Sequence, residues 1–152
     1  MSKSANAIQS ARPIEILLVE DDDDDVLLTR KALENDQILN RVHRVQDGVE
    51  ALEYLRREGP FECAPRPDLI LLDLNMPRKD GREVLKEIKE DDDIKSIPVV
   101  VLTTSDDGLD IESSYNYRAN SYVTKPVDLE QYKMVVSAIK EYWFTAAELP
   151  PT

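Results

Sequence analysis

Residues 68–73 read DLILLD, a short apolar run closed at both ends by an aspartate. The runs Ile14–Val19 and Val99–Thr103 have the same apolar character. Nearly continuous Ile, Leu and Val are typical of strands that are covered on both faces, as in a parallel sheet. Working outward from these runs, we predict five strands, at Ile14–Val19, Leu39–Val45, Asp68–Leu72, Val99–Thr103 and Ser121–Thr124.

Stretches with helical spacing separate the predicted strands. The clearest apolar stripe, at steps of three and four, contains Leu129, Tyr132, Val135, Val136, Ile139 and Trp143. Shorter stripes are Val49, Leu52 and Leu55, and then Val84, Leu85 and Ile88. The segment 107–119 has no clean stripe and is the weakest helix. Alternating strands and helices predict right-handed crossovers and a three-layer α/β sandwich around a parallel sheet.

Composition limits the class of protein and its partners. A chain of 152 residues is the size of one domain, which we place at residues 14–145 with tails at 1–13 and 146–152. Its 31 acidic and 19 basic residues give a formal charge of −12, which argues against nucleic acid and anionic membrane surfaces as partners. Cys63 is the single cysteine, so no intrachain disulfide is possible and a cytoplasmic location is expected.

Polar side chains follow the predicted strands at their carboxyl ends. Glu20 and Asp21 follow the first strand and Asp73 the third, while the fourth ends on Thr103 and the fifth runs into Lys125. In open parallel sheets these ends meet at one edge, where functional groups gather. Clustered carboxylates with only oxygen ligands favour Mg²⁺, which would align Asp73 for attack on a phosphate. The pattern therefore predicts phosphoryl transfer to Asp73.

These residues carry a resemblance to a known family. The segment Leu18-Val19-Glu20-Asp21, the segment Asp73-Leu74-Asn75-Met76-Pro77 with Gly81, and the pair Lys125-Pro126 resemble the motifs of receiver domains of bacterial two-component response regulators. Thr103 falls at the family's hydroxyl position and Tyr122 at its switch aromatic. The resemblance implies a flavodoxin-like fold, with a five-stranded sheet of order 2-1-3-4-5 and five helices.

The resemblance also implies a role for each site residue. Asp21, Asp73 and the backbone carbonyl of Asn75 would bind Mg²⁺, with Glu20 acting through water, and Mn²⁺ or Ca²⁺ is expected to substitute in binding. Thr103 and Lys125 would contact the phosphoryl group, and Tyr122 would follow Thr103 as the switch. The turns around the site would be supported by Pro77, Gly81 and Pro126.

The partners implied are those of a single-domain response regulator that is not an enzyme toward other substrates. A sensor histidine kinase would supply the phosphoryl group. The long loop 59–67 and the ending Tyr142-Trp143-Phe144 most resemble regulators paired with phytochromes. The fourth helix, fifth strand and fifth helix would signal to a downstream protein. Three consecutive aromatic residues cannot all face inward on a helix, so a homodimer is expected.

Alternatives with a different chemistry remain open. A haloacid-dehalogenase-type phosphatase would use the same aspartyl phosphate, but it needs an aspartate where Asn75 stands. A receiver-like scaffold that is never phosphorylated would usually have lost one residue of the set. Outside the site, Asp22 to Asp25 are interpreted as helix-capping residues, and Asp68 and His43 as structural residues.

Overall fold

The central sheet contains five parallel strands. The computed structural model describes residues 13–34, 39–74, 76, 79–103, 121–124 and 128–141, with the backbone alone at 103, 121, 122 and 124. Its strands are β1 (Ile14–Val19), β2 (Asn40–Val45), β3 (Leu69–Asp73), β4 (Val99–Thr103) and β5 (Ser121–Thr124). They run in the order β2-β1-β3-β4-β5. The three most apolar strands therefore occupy the centre, which confirms the predicted parallel sheet.

The described part of the chain contains four α-helices, three between strands and one after the last strand. They are α1 (Asp23–Glu34), α2 (Gly48–Leu55), α3 (Gly81–Glu90) and α4 (Leu129–Glu141), and a short 3₁₀ turn at Gly59–Phe61 precedes β3. The fifth predicted helix, within residues 107–119, lies outside the described residues. None of the helices described is both long and apolar enough to cross a membrane.

The helices pack on both faces of the sheet. Alternate strand residues point to opposite faces, and they divide the buried side chains into two cores. One core joins α2 and α3 to Leu17, Val19, Ile70, Leu72, Val99 and Val101. The other joins α1 and α4 to Ile16, Leu18, Leu69, Leu71, Val100 and Leu102. The predicted arrangement of a sheet between two helical layers is confirmed.

Two strand boundaries differ from those predicted. Strand β2 begins at Asn40 because Leu39 is 63% exposed and lies before the ladder. Strand β3 is shifted by one residue, so that Asp73 is its last residue and pairs with Leu102 of β4. Asp68 precedes β3, where its backbone N–H donates to the Glu15 carbonyl and its Oδ2 accepts from the Glu15 N–H at 2.9 Å. Asp68 is therefore a structural residue, as expected.

His43 lies on β2, at the edge of the sheet. Its Nε2 is 2.6 Å from Oε1 of Glu15, which lies at the amino end of β1 and is buried. The same carboxylate pairs with Arg41 at 3.0 Å. The contact with Glu15 gives His43 a structural explanation that is separate from the carboxyl ends of the strands.

Candidate functional site

Three carboxylates meet at the carboxyl end of the sheet. Glu20 follows β1 directly, Asp21 comes next, and Asp73 ends the neighbouring strand β3. One carboxylate oxygen of each lies within 4.8 Å of those of the other two. Glu20 and Asp73 are buried, whereas Asp21 is exposed. The name acidic edge is used below for Glu20, Asp21 and Asp73.

The backbone of the acidic edge is held by a neighbouring strand. The Glu20 N–H donates to the Val45 carbonyl at 3.1 Å. Arg44 of β2 donates from Nε to the Glu20 carbonyl at 2.9 Å and from Nη2 to the Asp21 carbonyl at 3.2 Å. The same Nη2 pairs with Oδ1 of Asp23 at 2.8 Å. Arg44 thus brings a positive charge beside the acidic edge while bonding its carbonyls, a role that the sequence did not reveal.

The aspartates after Asp21 begin helix α1. Oδ1 of Asp22 accepts from the N–H of Asp24 at 2.8 Å and from that of Asp25 at 3.3 Å. Asp23, Asp24 and Asp25 form the acidic first turn of the helix. Carboxylates at this end satisfy free N–H groups and interact favourably with the helix dipole. The capping role predicted for this run is confirmed.

The loop after Asp73 folds back so that its end packs against the carboxyl end of β3. The Gly81 N–H donates to the Leu74 carbonyl at 3.0 Å, and Asp80 caps α3 by accepting from the N–H groups of Arg82 and Glu83. A Cβ built on Gly81 would fall 2.6 Å from Leu74 Cα and closer still to the Asp73 carbonyl. Only glycine fits there without moving the backbone that carries Asp73.

The far side of this loop rests on helix α2. A Cβ on Gly48 would fall 2.9 Å from Lys79 Cβ, and closer still to the Lys79 carbonyl and to Val84 Cγ2. Lys79 also forms an ion pair with Glu87 of α3. The Lys79 hydrogen bond lowers the pKa of the Glu87 carboxyl, against a smaller opposing effect of burial. Neither Gly48 nor Lys79 had been singled out as a site residue.

The remaining predicted site residues are described in part or not at all. Thr103 ends β4, one residue beyond the Leu102 that pairs with Asp73, and Tyr122 of β5 pairs with Val101; for both, only the backbone position is described. Asn75, Pro77, Lys125 and Pro126 lie outside the described residues, as do Tyr142, Trp143 and Phe144.

The chemistry of the acidic edge follows from its donors and its charge. Three carboxylates this close repel one another in the absence of a compensating cation. Their ligand atoms are all oxygens, which suits a hard divalent ion such as Mg²⁺. Asp73 is a buried carboxylate at the end of β3, and its backbone is held by the pairing with Leu102 of β4.

Comparison with known proteins gives consistent relatives. The protein-family model for the response regulator receiver domain matches residues 16–137. Response regulator Rcp1 of Synechocystis sp. is 44% identical over 142 residues, which is 93% of this chain and 97% of Rcp1. The probable methanogenesis regulatory protein FilR2 of Methanothrix harundinacea is 42% identical over 92% of this chain and 90% of its own length.

Solved structures agree with the sequence relatives. The phosphorylated cyanobacterial phytochrome response regulator RcpA is 50% identical, with a TM-score of 0.88, and the match covers 92% of this chain and 100% of RcpA. The Mn²⁺-bound form of Rcp1 is 45% identical, with a TM-score of 0.86, over 91% of this chain and 100% of that one.

Proposed function

Because the chain belongs to the response regulator receiver family, we propose that Asp73 is its phosphoacceptor and that phosphorylation there is its signal. The observation that carries the proposal is the convergence of Glu20, Asp21 and Asp73 at the ends of β1 and β3. Receiver domains are signalling modules. The chemistry expected is therefore transfer onto the protein itself and slow loss of that group, with no turnover of a separate substrate.

In the proposed step, a carboxylate oxygen of Asp73 attacks the phosphorus of a phosphohistidine on the kinase. An O–P bond forms as the N–P bond breaks, and the leaving imidazole takes up a proton from solvent. Asp73 is only 4% exposed, whereas Asp21 is open to solvent. The phosphohistidine therefore approaches from the side of Asp21, and the kinase excludes water as it docks.

Mg²⁺ is the proposed metal. Asp21, Asp73 and the backbone carbonyl of Asn75 would bind it directly, and Glu20 through water. When bound, the ion neutralises charge on the incoming phosphoryl group and fixes the acceptor oxygen. The existence of a Mn²⁺-bound form of the relative Rcp1 supports a divalent site and Mn²⁺ as a substitute. Ca²⁺ is expected to bind with looser geometry.

The proposed switch runs across the sheet from β3 to β5. Thr103 and Lys125 contact the phosphoryl group, and Tyr122 moves into the space that Thr103 leaves. The strand order supports this path, because β4 lies beside β3 and β5 beside β4. Pro77, Gly81 and Pro126 shape the turns. The signalling face comprises the predicted helix within residues 107–119, β5 and α4.

The proposed phosphodonor is a phytochrome histidine kinase in the cytoplasm. The similarity to RcpA, a cyanobacterial phytochrome response regulator, supports this assignment. The receiver domain would extend over residues 14–145. We further propose a homodimer through the signalling face or through Tyr142, Trp143 and Phe144, with a separate downstream protein as the target.

The test is phosphotransfer to matched aspartate variants. Asp73→Asn should abolish labelling by a phosphorylated phytochrome kinase and by acetyl phosphate, since an amide is not a nucleophile here. Asp24→Asn changes an exposed carboxylate of the adjacent helix turn and should leave the labelling rate unchanged. Labelling of the Asp73 variant at the wild-type rate would show that another residue is the acceptor.

A further inference from the structure

A pocket opens at the amino end of the sheet, at the opposite end from the acidic edge. It has a volume of about 310 Å³, near the lower limit of small-molecule sites. The end of α2, the segment before β3 and the turn after α3 enclose it. Its buried apolar lining is Tyr54, Leu55, Ile94 and Ile97, and two prolines, Pro65 and Pro67, also line it.

Three arginines line this pocket, and among the described residues Arg57 and Arg66 form no ion pair. Arg56 pairs with Asp91 at 3.5 Å. Arg66 donates to neutral acceptors, the Asp93 carbonyl at 2.7 Å and Ser96 Oγ at 3.1 Å. Within the part of the chain that the structure describes, Arg57 has no ion pair. In a protein of net charge −12, the three arginines of this lining outnumber its two aspartates, Asp91 and Asp93.

The backbone of Arg57 is in a conformation that disfavours its side chain. Its φ is 56°, in the left-handed region, where a Cβ clashes with the following carbonyl. The Glu58 N–H donates to the Glu53 carbonyl at 2.9 Å, and the Arg57 N–H to the Tyr54 carbonyl at 3.1 Å. These two bonds define a helix end at which glycine is the favoured residue. The turn therefore does not explain why arginine stands there, and strain of this kind often marks function.

A polar group without a partner lies in the same wall. The Tyr54 hydroxyl is buried and has no hydrogen-bond partner in the described structure. Burial and, to a smaller extent, the charge of Glu15 raise the pKa of Tyr54 to about 12, and the charge of Arg57 opposes them. A buried hydroxyl normally has a partner. Arg57 and Tyr54 thus both line the pocket, next to the buried side chain of Leu55.

We propose that this pocket binds a small organic anion, whose carboxylate pairs with Arg57 and whose compact apolar body packs against Pro65 and the exposed part of Leu55. A guanidinium binds a carboxylate through two parallel hydrogen bonds, which makes the free Arg57 side chain the determinant of charge selectivity. Arg66 adds positive potential without direct contact. The ligand is a monocarboxylate, because Asp93 also lines the pocket and would repel a dianion.

Benzoate is the probe for this site, with neutral benzamide as its isostere. Amide chemical shifts of the full chain should change saturably with benzoate at residues 54–57 and 94–97, and benzamide should bind about tenfold more weakly. Arg57→Gly should lose benzoate affinity by at least about tenfold. It should also unfold at a higher urea concentration, because glycine relieves the left-handed strain. Loss of binding together with a gain in stability excludes a folding defect.

Two control variants complete the test. Arg57→Lys keeps the positive charge but lacks the guanidinium that forms two parallel hydrogen bonds to a carboxylate. It should bind benzoate with intermediate affinity. Arg41→Gln removes an arginine on β2 that is 60% exposed and should leave affinity unchanged. Equal affinity for benzamide, an unchanged affinity in Arg57→Gly, or shifts that do not saturate would each overturn the proposal. None of these results depends on phosphorylation of Asp73.

Discussion

Strands β1 and β3 have a buried carboxylate at or next to each end, and the groups around these carboxylates differ between the two ends of the sheet. Glu15 and Asp68 lie at the amino end with 6% and 3% of their surface exposed, and Glu20 and Asp73 at the carboxyl end with 0% and 4%. At the amino end the protein supplies the partners, since Glu15 pairs with His43 and Arg41 and Asp68 accepts a backbone N–H. At the carboxyl end the carboxylates face one another within 4.8 Å.

The carboxylates of the amino end bond neighbouring strand residues, whereas those of the acidic edge form a candidate metal site. Burying a charge costs several kcal/mol unless partners offset it. At the amino end, the bonds to His43, Arg41 and the Glu15 N–H offset that cost within the fold. At the acidic edge, Arg44 donates hydrogen bonds to the carbonyls of Glu20 and Asp21. The three clustered carboxylates of that edge are oxygen ligands suited to a divalent cation.

The largest effect is expected at Gly48, which supports the loop after Asp73. In Gly48→Ala the new methyl group clashes with Lys79 and Val84, and we expect a loss of about 2 kcal/mol in the free energy of unfolding. The displaced loop should also weaken the response to Mg²⁺. Urea unfolding with and without Mg²⁺ measures both.

The matched control for Gly48 is Gly59, a remote glycine with open space around it. Gly59 has φ of 55° and nothing within 4 Å of a Cβ. Asparagine tolerates the left-handed region. Gly59→Asn should therefore lower the free energy of unfolding by about 0.5 kcal/mol or less and leave the Mg²⁺ response unchanged. Equal losses in the two variants would mean that the contact of Gly48 with the loop has no special role.

The next effect concerns the amino end. Glu15→Gln removes the charge that pairs with His43 and Arg41 and should lower the free energy of unfolding by about 1.5 kcal/mol. Affinity for Mg²⁺ should not change, because the acidic edge is at the other end of β1. Urea unfolding and a Mg²⁺ titration test this. A gain in stability would place Glu15 in the same unfavourable electrostatic environment as the acidic edge.

The smallest effect concerns the Lys79–Glu87 ion pair. The pKa of Glu87 is lowered in the folded protein, so its carboxylate adds stability above its unfolded-state pKa of about 4.3 and loses it as pH falls through the folded-state pKa. Glu87→Gln should therefore cost about 0.5 kcal/mol at pH 7, the size of a surface pair. The difference from wild type should disappear in acid. A difference that is constant with pH would exclude the charge as its cause.

Local sequence patterns predicted most of the sheet and the candidate metal ligands. Ile14–Val19 and Val99–Thr103 are strands with the predicted bounds, because a run of buried apolar residues is a local property. Glu20, Asp21 and Asp73 were predicted to converge because parallel strands share one carboxyl edge, and the structure brings them together.

The features that were missed depend on contacts between distant residues. Arg44 bonds the Glu20 carbonyl 24 positions away, and Gly48 meets the loop at Lys79. In the sequence, Arg44 is one charged residue of an edge strand and Gly48 one residue of a turn. Arg57 is a different case, because the sequence preference at this kind of helix end is local and well known. That preference is for glycine, so it does not account for an arginine.

The most direct measurement of the central claim is thermal unfolding of wild type and Asp73→Asn across a Mg²⁺ titration at constant ionic strength. Mg²⁺ binds the folded site, so at ten times its Kd it should stabilise wild type by about 1.4 kcal/mol, or several degrees in Tm. Asp73→Asn should be more stable than wild type without metal and respond less to Mg²⁺, because one repelling charge is gone. A wild-type Tm that does not change at millimolar Mg²⁺ would contradict a metal site at the acidic edge.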